Sequence, residues 1–303
     1  MITTHRHEFS QESARGFKRR IESVPGRGIA VPLLIATFLA GNVMIAGGAS
    51  AEEPEPLKVL MITGGGAHDY EAQQRILEEG IGERVNAEFT IDFEAGLDDR
   101  EGRISRHRDT AWAEEFDLVL YNMCFAQMRD DEWVNRLVLE GHVEHNVPAV
   151  LLHCAMHSYS YQEGYGEAWG KFMGVRSNSH ERRRPFPVEA VNTDHPVMAH
   201  FETPWTPPNG ELYRIEEAFD TVTPLAEGHG DNTHMVVWVN EFQGVPVFAT
   251  TIGHHNVTME HPNYLNLVSA GLLWAAGKLD DEGNPEGGYA RDGFGSTGGT
   301  SSD

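Results

Sequence analysis

Three unbroken apolar stretches constrain this fold more than any other feature: "KVLMITGGG" from Lys58, "FDLVLYNMC" from Phe116 and "VPAVLLHC" from Val147. A strand with one face in water alternates apolar and polar residues. Runs without that alternation are strands covered on both faces, as in parallel sheets. The segments between them have helical spacing. In "DYEAQQRILEEGIGE", Ile76, Leu77 and Ile81 share one face, and Gly80 and Gly82 mark the end. "DDEWVNRLVLEGHVEHN" opens on acidic residues and carries Trp133, Leu137 and Val138 on one face. "AEFTIDFE" reads as a further strand. Strands alternating with helices predict an α/β fold with a mainly parallel sheet and right-handed crossovers. Ligands bind such sheets beyond the carboxyl ends of the strands. The ends here are "TGGGAHDY", "YNMCFAQ" and "HCAMHSY", so polar residues far apart in sequence are expected to converge.

The second half is less regular. "EGYGEAWGKFMG" predicts a short helix with a glycine exit. "PFPVEAV", "TVTPLAE" and "HMVVWVNEFQGVPVFATTIG" read as strands, the last with a hairpin at Gln243-Gly244. "PNYLNLVSAGLLWAAGKL" is a closing helix with Pro262 at its start and Leu265, Val268, Leu272 and Leu273 inward. From Asp280 to Asp303 the residues are largely Gly, Ser, Asp and Glu, which predicts a disordered tail.

The first 51 residues have another character. Arg15, Lys18, Arg19, Arg20 and Arg27 precede "GIAVPLLIATFLAGNVMIAGG" and the small-residue ending Ala49-Ser50-Ala51. This is the pattern of a secretory signal peptide; an uncleaved anchor is the competing reading. The expected organisation is a signal over 1–51, a linker over 52–57, a folded domain over 58–279 and a tail over 280–303. The protein is then exported, to a periplasm or the extracellular space. The formal charge is −23 for the whole chain, and becomes −26 without the signal's six Lys/Arg and three Asp/Glu. Such a balance excludes nucleic acid as a partner, and an anionic membrane as a partner of the mature chain. Two cysteines, Cys124 and Cys154, rule out a disulfide framework and leave a single bridge open.

The candidate site residues lie at the strand ends. Gly65 and Gly66 offer backbone N–H groups to a ligand oxygen, or form a tight turn. His68 and Asp69 suit a base with its orienting carboxylate; Asp69 also suits the cap of the following helix. In "HCAMHSY", His153 and His157 suit metal ligands, with His180, His254 or His255 supplying a third. Cys154 suits a nucleophile at a strand-to-helix turn, although Leu152 and Met156 stand where a sharp elbow needs small residues. A structural polar cluster is the third reading. Of the paired histidines after Gly253, His254 is favoured over His255. His180 in "SNSH" and the acidic pair Glu216 and Glu217 are lesser candidates, and Asp194-His195-Pro196 reads as a turn. Tyr159, Tyr161, Tyr165 and Trp169 are placed to stack on a sugar ring, or to pack the core. A divalent metal such as zinc is the cofactor this residue set would take.

These pieces resemble, in this order, the ThuA-like family, named for trehalose utilisation. They are "KVLMITGGGAHDY", "FDLVLYNMC", "VPAVLLHCAMHSY", "DHPVMAHF", "ELYRI", "VPVFATTIGHH" and "GLLWAAG". The resemblance implies a flavodoxin-like, class I glutamine amidotransferase-like three-layer sandwich. It further implies a role in using trehalose or related disaccharides through 3-keto sugars, with a small carbohydrate as partner. His68 and Asp69 match the family's Gly-Gly-x-His-Asp loop, His153 its fourth-strand histidine and His254 its late Gly-His. Cys154 falls near the nucleophile of true amidotransferases but lacks the glycines that flank it there. Three functions follow as expectations: a sugar-transforming enzyme, a carbohydrate-binding module without chemistry, and a cysteine-dependent hydrolase.

Overall fold

The apolar runs lack alternation because each side of them meets its own layer. The computed structural model describes residues 53–94, 96, 99–159 and 166–297, so the expected signal segment lies outside the described residues. In chain order the first half gives β1 (Leu57–Gly65), α1 (Tyr70–Gly82), β2 (Ala87–Asp92), β3 (Leu118–Cys124), α2 (Asp131–Asn135) and β4 (Ala149–Leu152). The middle gives α3 (Glu167–Met173) and the short strands β5 (Val175–Arg176), β6 (Ser179–His180), β7 (Val188–Ala190), β8 (Tyr213–Arg214) and β9 (Glu217–Ala218). The end gives β10 (Val222–His229), β11 (Thr233–Phe242), β12 (Val245–Thr250), α4 (Asn256–Met259) and α5 (Pro262–Ala275).

The main sheet runs β2-β1-β3-β4-β12-β11-β10-β7. Its first five strands pair in parallel, and the rest are antiparallel. With β12 counted as fifth strand, the parallel part has the flavodoxin order 2-1-3-4-5, which places the ligand crevice where β1 and β3 send their connections to opposite sides. Along each strand alternate residues enter different layers. Val59, Met61, Leu118, Leu120, Val150 and Leu152 pack with Leu77 and Ile81 of α1 and with Leu265, Val268 and Leu272 of α5. Leu60, Ile62, Val119, Tyr121, Ala149 and Leu151 pack with Trp133, Trp169 and Phe172 on the other side. This is the expected three-layer sandwich.

Local chemistry fixes several boundaries. Asp69 caps α1 by accepting from the Ala72 backbone N–H at 3.3 Å. The hairpin between β11 and β12 turns on Gln243 and Gly244, both at positive φ (53° and 90°), as a two-residue I′ turn requires. The linker ends one residue earlier than expected, since Leu57 already pairs with Ala87. The second predicted helix is α-helical only over Asp131–Asn135 and continues as a π-helix over Arg136–Val143.

The tail expectation needs a larger correction. Residues 280–297 are described as a train of turns on the domain surface. The Asp280 carboxylate accepts from the backbone N–H groups of Glu282 and Asn284. Tyr289 and Phe294 pack against the α1/α5 layer. Backbone bonds tie Asn86 to Tyr289, Arg291 to Arg84 and Gly293 to Glu83. Two aromatic anchors and a set of backbone bonds outweigh a composition that otherwise suggests disorder. Among the described residues no helix is long and apolar enough to cross a membrane.

Beneath the π-helix lies a buried polar cluster. His142 donates from Nδ1 to the Val147 carbonyl at 2.7 Å, and its Nε2 accepts from the Tyr121 hydroxyl, also at 2.7 Å. His107 lies tilted against Trp112, and neither of its ring nitrogens has a hydrogen-bond partner. Burial pushes the pKa of His107 down to about 3 and that of His142 to about 4. Both are bases with folded pKa values below the unfolded value near 6.5, so the unfolded chain takes up protons first on acidification. Stability is therefore intact above about pH 6.5 and falls towards pH 3–4, by about 1.4 kcal/mol per pH unit for each histidine. We expect His107→Leu to be neutral or stabilising at pH 7 and to shrink the drop in Tm between pH 7 and pH 5. A loss above about 2 kcal/mol at pH 7 would mean the imidazole makes a bond the fold needs.

Candidate active site at the carboxyl edge of the sheet

His153 is the first residue beyond β4, and β4 pairs with β12 so that Leu152 faces Thr250. The next residues along, His153 and Thr251, therefore lie side by side, with His153 Nδ1 2.7 Å from the Thr251 carbonyl oxygen. A carbonyl only accepts, so Nδ1 carries the proton and Nε2 keeps its lone pair. His254 leaves the end of β12 after Gly253. Its carbonyl accepts from His68 Nδ1 and from Gln73 Nε2, each at 3.3 Å. His68 therefore also keeps an Nε2 lone pair. The ring centroids of His68, His153 and His254 stand 4.8, 5.2 and 5.6 Å apart. The three imidazoles that sequence placed at separate strand ends form one cluster.

Their common neighbour is Glu211, in the connection leading into β8, with its side chain 3% exposed. Oε2 lies 3.2 Å from His153 Nε2 and 3.4 Å from His254 Nδ1. The His254 contact is not aligned as a hydrogen bond, and its Nδ1 is buried without a partner. Oε1 accepts from Arg183 Nε at 2.6 Å and faces His180 Nε2 at 3.3 Å. Burial pushes the Glu211 pKa up, but the Arg183 guanidinium, donating at 2.6 Å, opposes it and the carboxyl is held well below the usual range. Burial lowers His153 and takes His68 down to about 2, aided by its neighbouring imidazoles. At neutral pH the Glu211 carboxylate therefore stands beside neutral His68 and His153 rings.

One ligand atom from each of His68, His153, His254 and Glu211 falls within 4.8 Å of the others. Donors around tetrahedral zinc sit about 3.3 Å apart, so a small contraction would suffice. Carbonyls on His153 and His68, and Arg183 on Glu211, orient the donors as second-shell partners do at metal centres. A cleft of about 320 Å³ opens beside the cluster, lined by His68, Arg100, His157, His180, Arg183 and Tyr213, among others. A larger groove of about 650 Å³ lies at the opposite edge of the sheet, lined by Glu55, Glu114, Glu115 and Asp117, with no histidine. The smaller cleft has the convergent chemistry.

Several sequence candidates fall elsewhere. His157 is stacked on Tyr213 and bonded to Ser177 Oγ, outside the four-residue cluster, and His180 reaches it only through Glu211. Asp69 is used by the α1 cap and by Asn256 Nδ2 at 2.9 Å, so it is a structural residue. The N–H groups of Gly65 and Gly66 donate to the Gly96 and Cys124 carbonyls, and none is left for a ligand. Cys154 is bonded to Cys124, which removes the thiol that the cysteine-nucleophile reading requires. Trp169 is buried with its indole N–H on the Ala155 carbonyl, and Tyr159 is buried beside it; neither lines the cleft. Tyr161 and Tyr165 lie outside the described residues. His255 caps α4 through the Val257 N–H. His195 accepts from the Val197 N–H. Glu217 pairs with Arg176 at the surface.

Sequence reasoning missed Glu211 and Arg183. The one available signal was "ELYRI", where Glu211 opens a piece matched to the family but not chosen for its carboxylate.

Residues 58–275 match the sequence profile of ThuA, described as trehalose utilisation. The chain belongs to the ThuA family. No curated protein matches it by sequence. Among solved structures, a ThuA-like protein from Parabacteroides merdae is 18% identical, with TM-score 0.57, covering 78% of this chain and 98% of that one. A ThuA-like protein from Bacteroides uniformis is 16% identical, with TM-score 0.56, over 78% and 99% of the two chains. At these identities the likeness is one of fold, the three-layer sandwich described above.

The glycine loop keeps a steric role. Gly65 has φ 101°, and a Cβ there would sit 2.5 Å from the Cys124 carbonyl oxygen. We expect Gly65→Ala to cost about 2 kcal/mol or more in urea unfolding, from left-handed strain plus the clash. An unchanged midpoint would show that the loop bearing His68 is held by something else.

Proposed function

We propose that this ThuA-family chain is an exported enzyme of trehalose or related disaccharide use, acting on a 3-keto sugar at the His68, His153, His254 and Glu211 cluster. We further propose that the cluster holds a divalent cation such as zinc. One observation carries the reading: a buried carboxylate oxygen faces a lone-pair nitrogen of His153 at 3.2 Å. Two acceptors in that position need a positive species between them. The Tyr213 hydroxyl, 3.2 Å from the same nitrogen, brings one proton and satisfies one of the pair. The unpartnered His254 Nδ1 adds a second waiting donor atom. Three imidazoles and a carboxylate suit zinc and similar ions.

A low pKa separates two roles for His68. With its pKa near 2 it is a poor proton acceptor at pH 7, but it is always free to ligate. A cation there would supply polarisation of a sugar carbonyl. Arg183 would keep Glu211 Oε2 aimed inward. His180, part-buried in the cleft wall with Nδ1 donating to the Glu181 carbonyl, is the residue we assign to face the substrate there. The family description supports the sugar-related role, and the apolar leader ending in Ala49-Ser50-Ala51 supports export.

The test is metal analysis and cobalt titration of the full chain, purified without a histidine tag and left oxidised. We expect one equivalent bound, weakened at least tenfold by Glu211→Gln and by His153→Ala. Conversion of a 3-keto disaccharide derived from trehalose, followed by NMR, should fall with each variant and on chelation. Full conversion by His153→Ala would end this reading. Sugar binding without any product would instead leave a binding module.

A further inference from the structure

Cys124 ends β3 and Cys154 follows β4, so adjacent parallel strands deliver both sulfurs to the edge that carries the histidine cluster. Their sulfurs and one ligand atom of His68 lie within 4.8 Å of one another. Both cysteines, though buried, line the same cleft as His68. The Cys124 carbonyl also accepts from the Gly66 N–H, in the loop that leads to His68. The bridge is therefore in the wall of the candidate active site, and His68 belongs to two overlapping donor sets.

We infer that the Cys124–Cys154 bridge is a redox gate on the metal centre: once reduced, the two sulfurs and His68 form a second site for a thiophilic cation such as cadmium or zinc. The inference rests on the reading of His68 as a cation ligand in the proposed centre. A small dithiol acts as reductant. Its thiolate attacks one sulfur of the bridge, the other leaves as a thiolate and is protonated, and a second attack closes the reductant's own disulfide. Two cysteine thiols result, and the reductant loses two electrons and two protons. When a cation binds, each thiol releases its proton to solvent, and thiolates prefer thiophilic ions to oxygen-seeking ones. His68 Nδ1 is engaged with the His254 carbonyl, so a single Nε2 lone pair remains. One lone pair serves one ion at a time. The thiolate site therefore competes with the histidine–carboxylate centre, and reduction lowers occupancy of the latter.

The experiment is a cadmium titration of the full chain, oxidised and reduced, followed by the ultraviolet thiolate-to-cadmium charge-transfer band. We expect no band in the oxidised chain and a band saturating at one equivalent in the reduced chain. His68→Gln should weaken cadmium binding to the reduced chain at least tenfold. In the reduced wild type, cadmium should slow alkylation of Cys154 by iodoacetamide, a readout that needs no cysteine variant to fold. Absence of the band in the reduced chain overturns the inference. An unchanged cadmium affinity in His68→Gln overturns it too, since the thiolates would then bind without the shared ligand. Cobalt binding to the oxidised chain reports on the histidine–carboxylate centre alone, so failure there is distinguishable from failure here.

Discussion

The parallel pairing of β4 with β12 is the contact on which the site depends. It joins strands almost a hundred residues apart and sets Leu152 against Thr250. That register brings His153 to the Thr251 carbonyl, and the carbonyl decides which imidazole nitrogen carries the proton. A slip of one residue would turn every side chain of β12 to the other face of the sheet. It would also take Gly253 from beside His153, where a Cβ would come within 2.9 Å of the His153 side chain. Sheet pairing here sets backbone geometry and side-chain chemistry together.

Glu211 is the electrostatic counterpart. A buried carboxylate is expensive unless its oxygens are engaged, and here the two are engaged differently. Oε1 takes Arg183 and faces His180; Oε2 faces the other imidazoles. Arg183 is itself 58% exposed, yet it supplies the donor that the buried Oε1 needs. Its effect is directional: with one oxygen held from the solvent side, the other points into the cluster. The same division aims a carboxylate charge into the cluster, which favours whatever positive species enters.

Much of this was legible in the sequence, and the remainder was hidden for physical reasons. Unbroken apolar runs identified β1, β3 and β4, because burial on both faces leaves a direct mark on residue choice. Gln243-Gly244 identified the hairpin, because few residue pairs tolerate two positive φ values. His68, His153 and His254 were legible as candidates because topology gathers strand ends. Glu211 was not, since it lies in an irregular connection without periodicity, and a carboxylate's burial depends on partners far away in the chain. Trp169 and Tyr159 misled because an aromatic near a site packs inward as readily as it faces a ligand. The glycines divide the same way: their freedom admits the Cys124 carbonyl, and their N–H groups are taken by backbone carbonyls. Asp69 was assigned two roles by sequence, and the cap is the one its hydrogen bonds support.

His153 and His254 both hold left-handed backbone, with φ of 44° and 74°. For residues with a Cβ this conformation costs about 1–2 kcal/mol each. Glycine at either position would relax the chain while deleting an imidazole. Selection of this protein for heat resistance alone, in a display library or a directed-evolution campaign, would therefore tend to erode the chemistry proposed for it. Variants that survive the harshest heating would be enriched in ones that can no longer work. Efforts to harden the fold should hold these two positions fixed and seek their gains elsewhere.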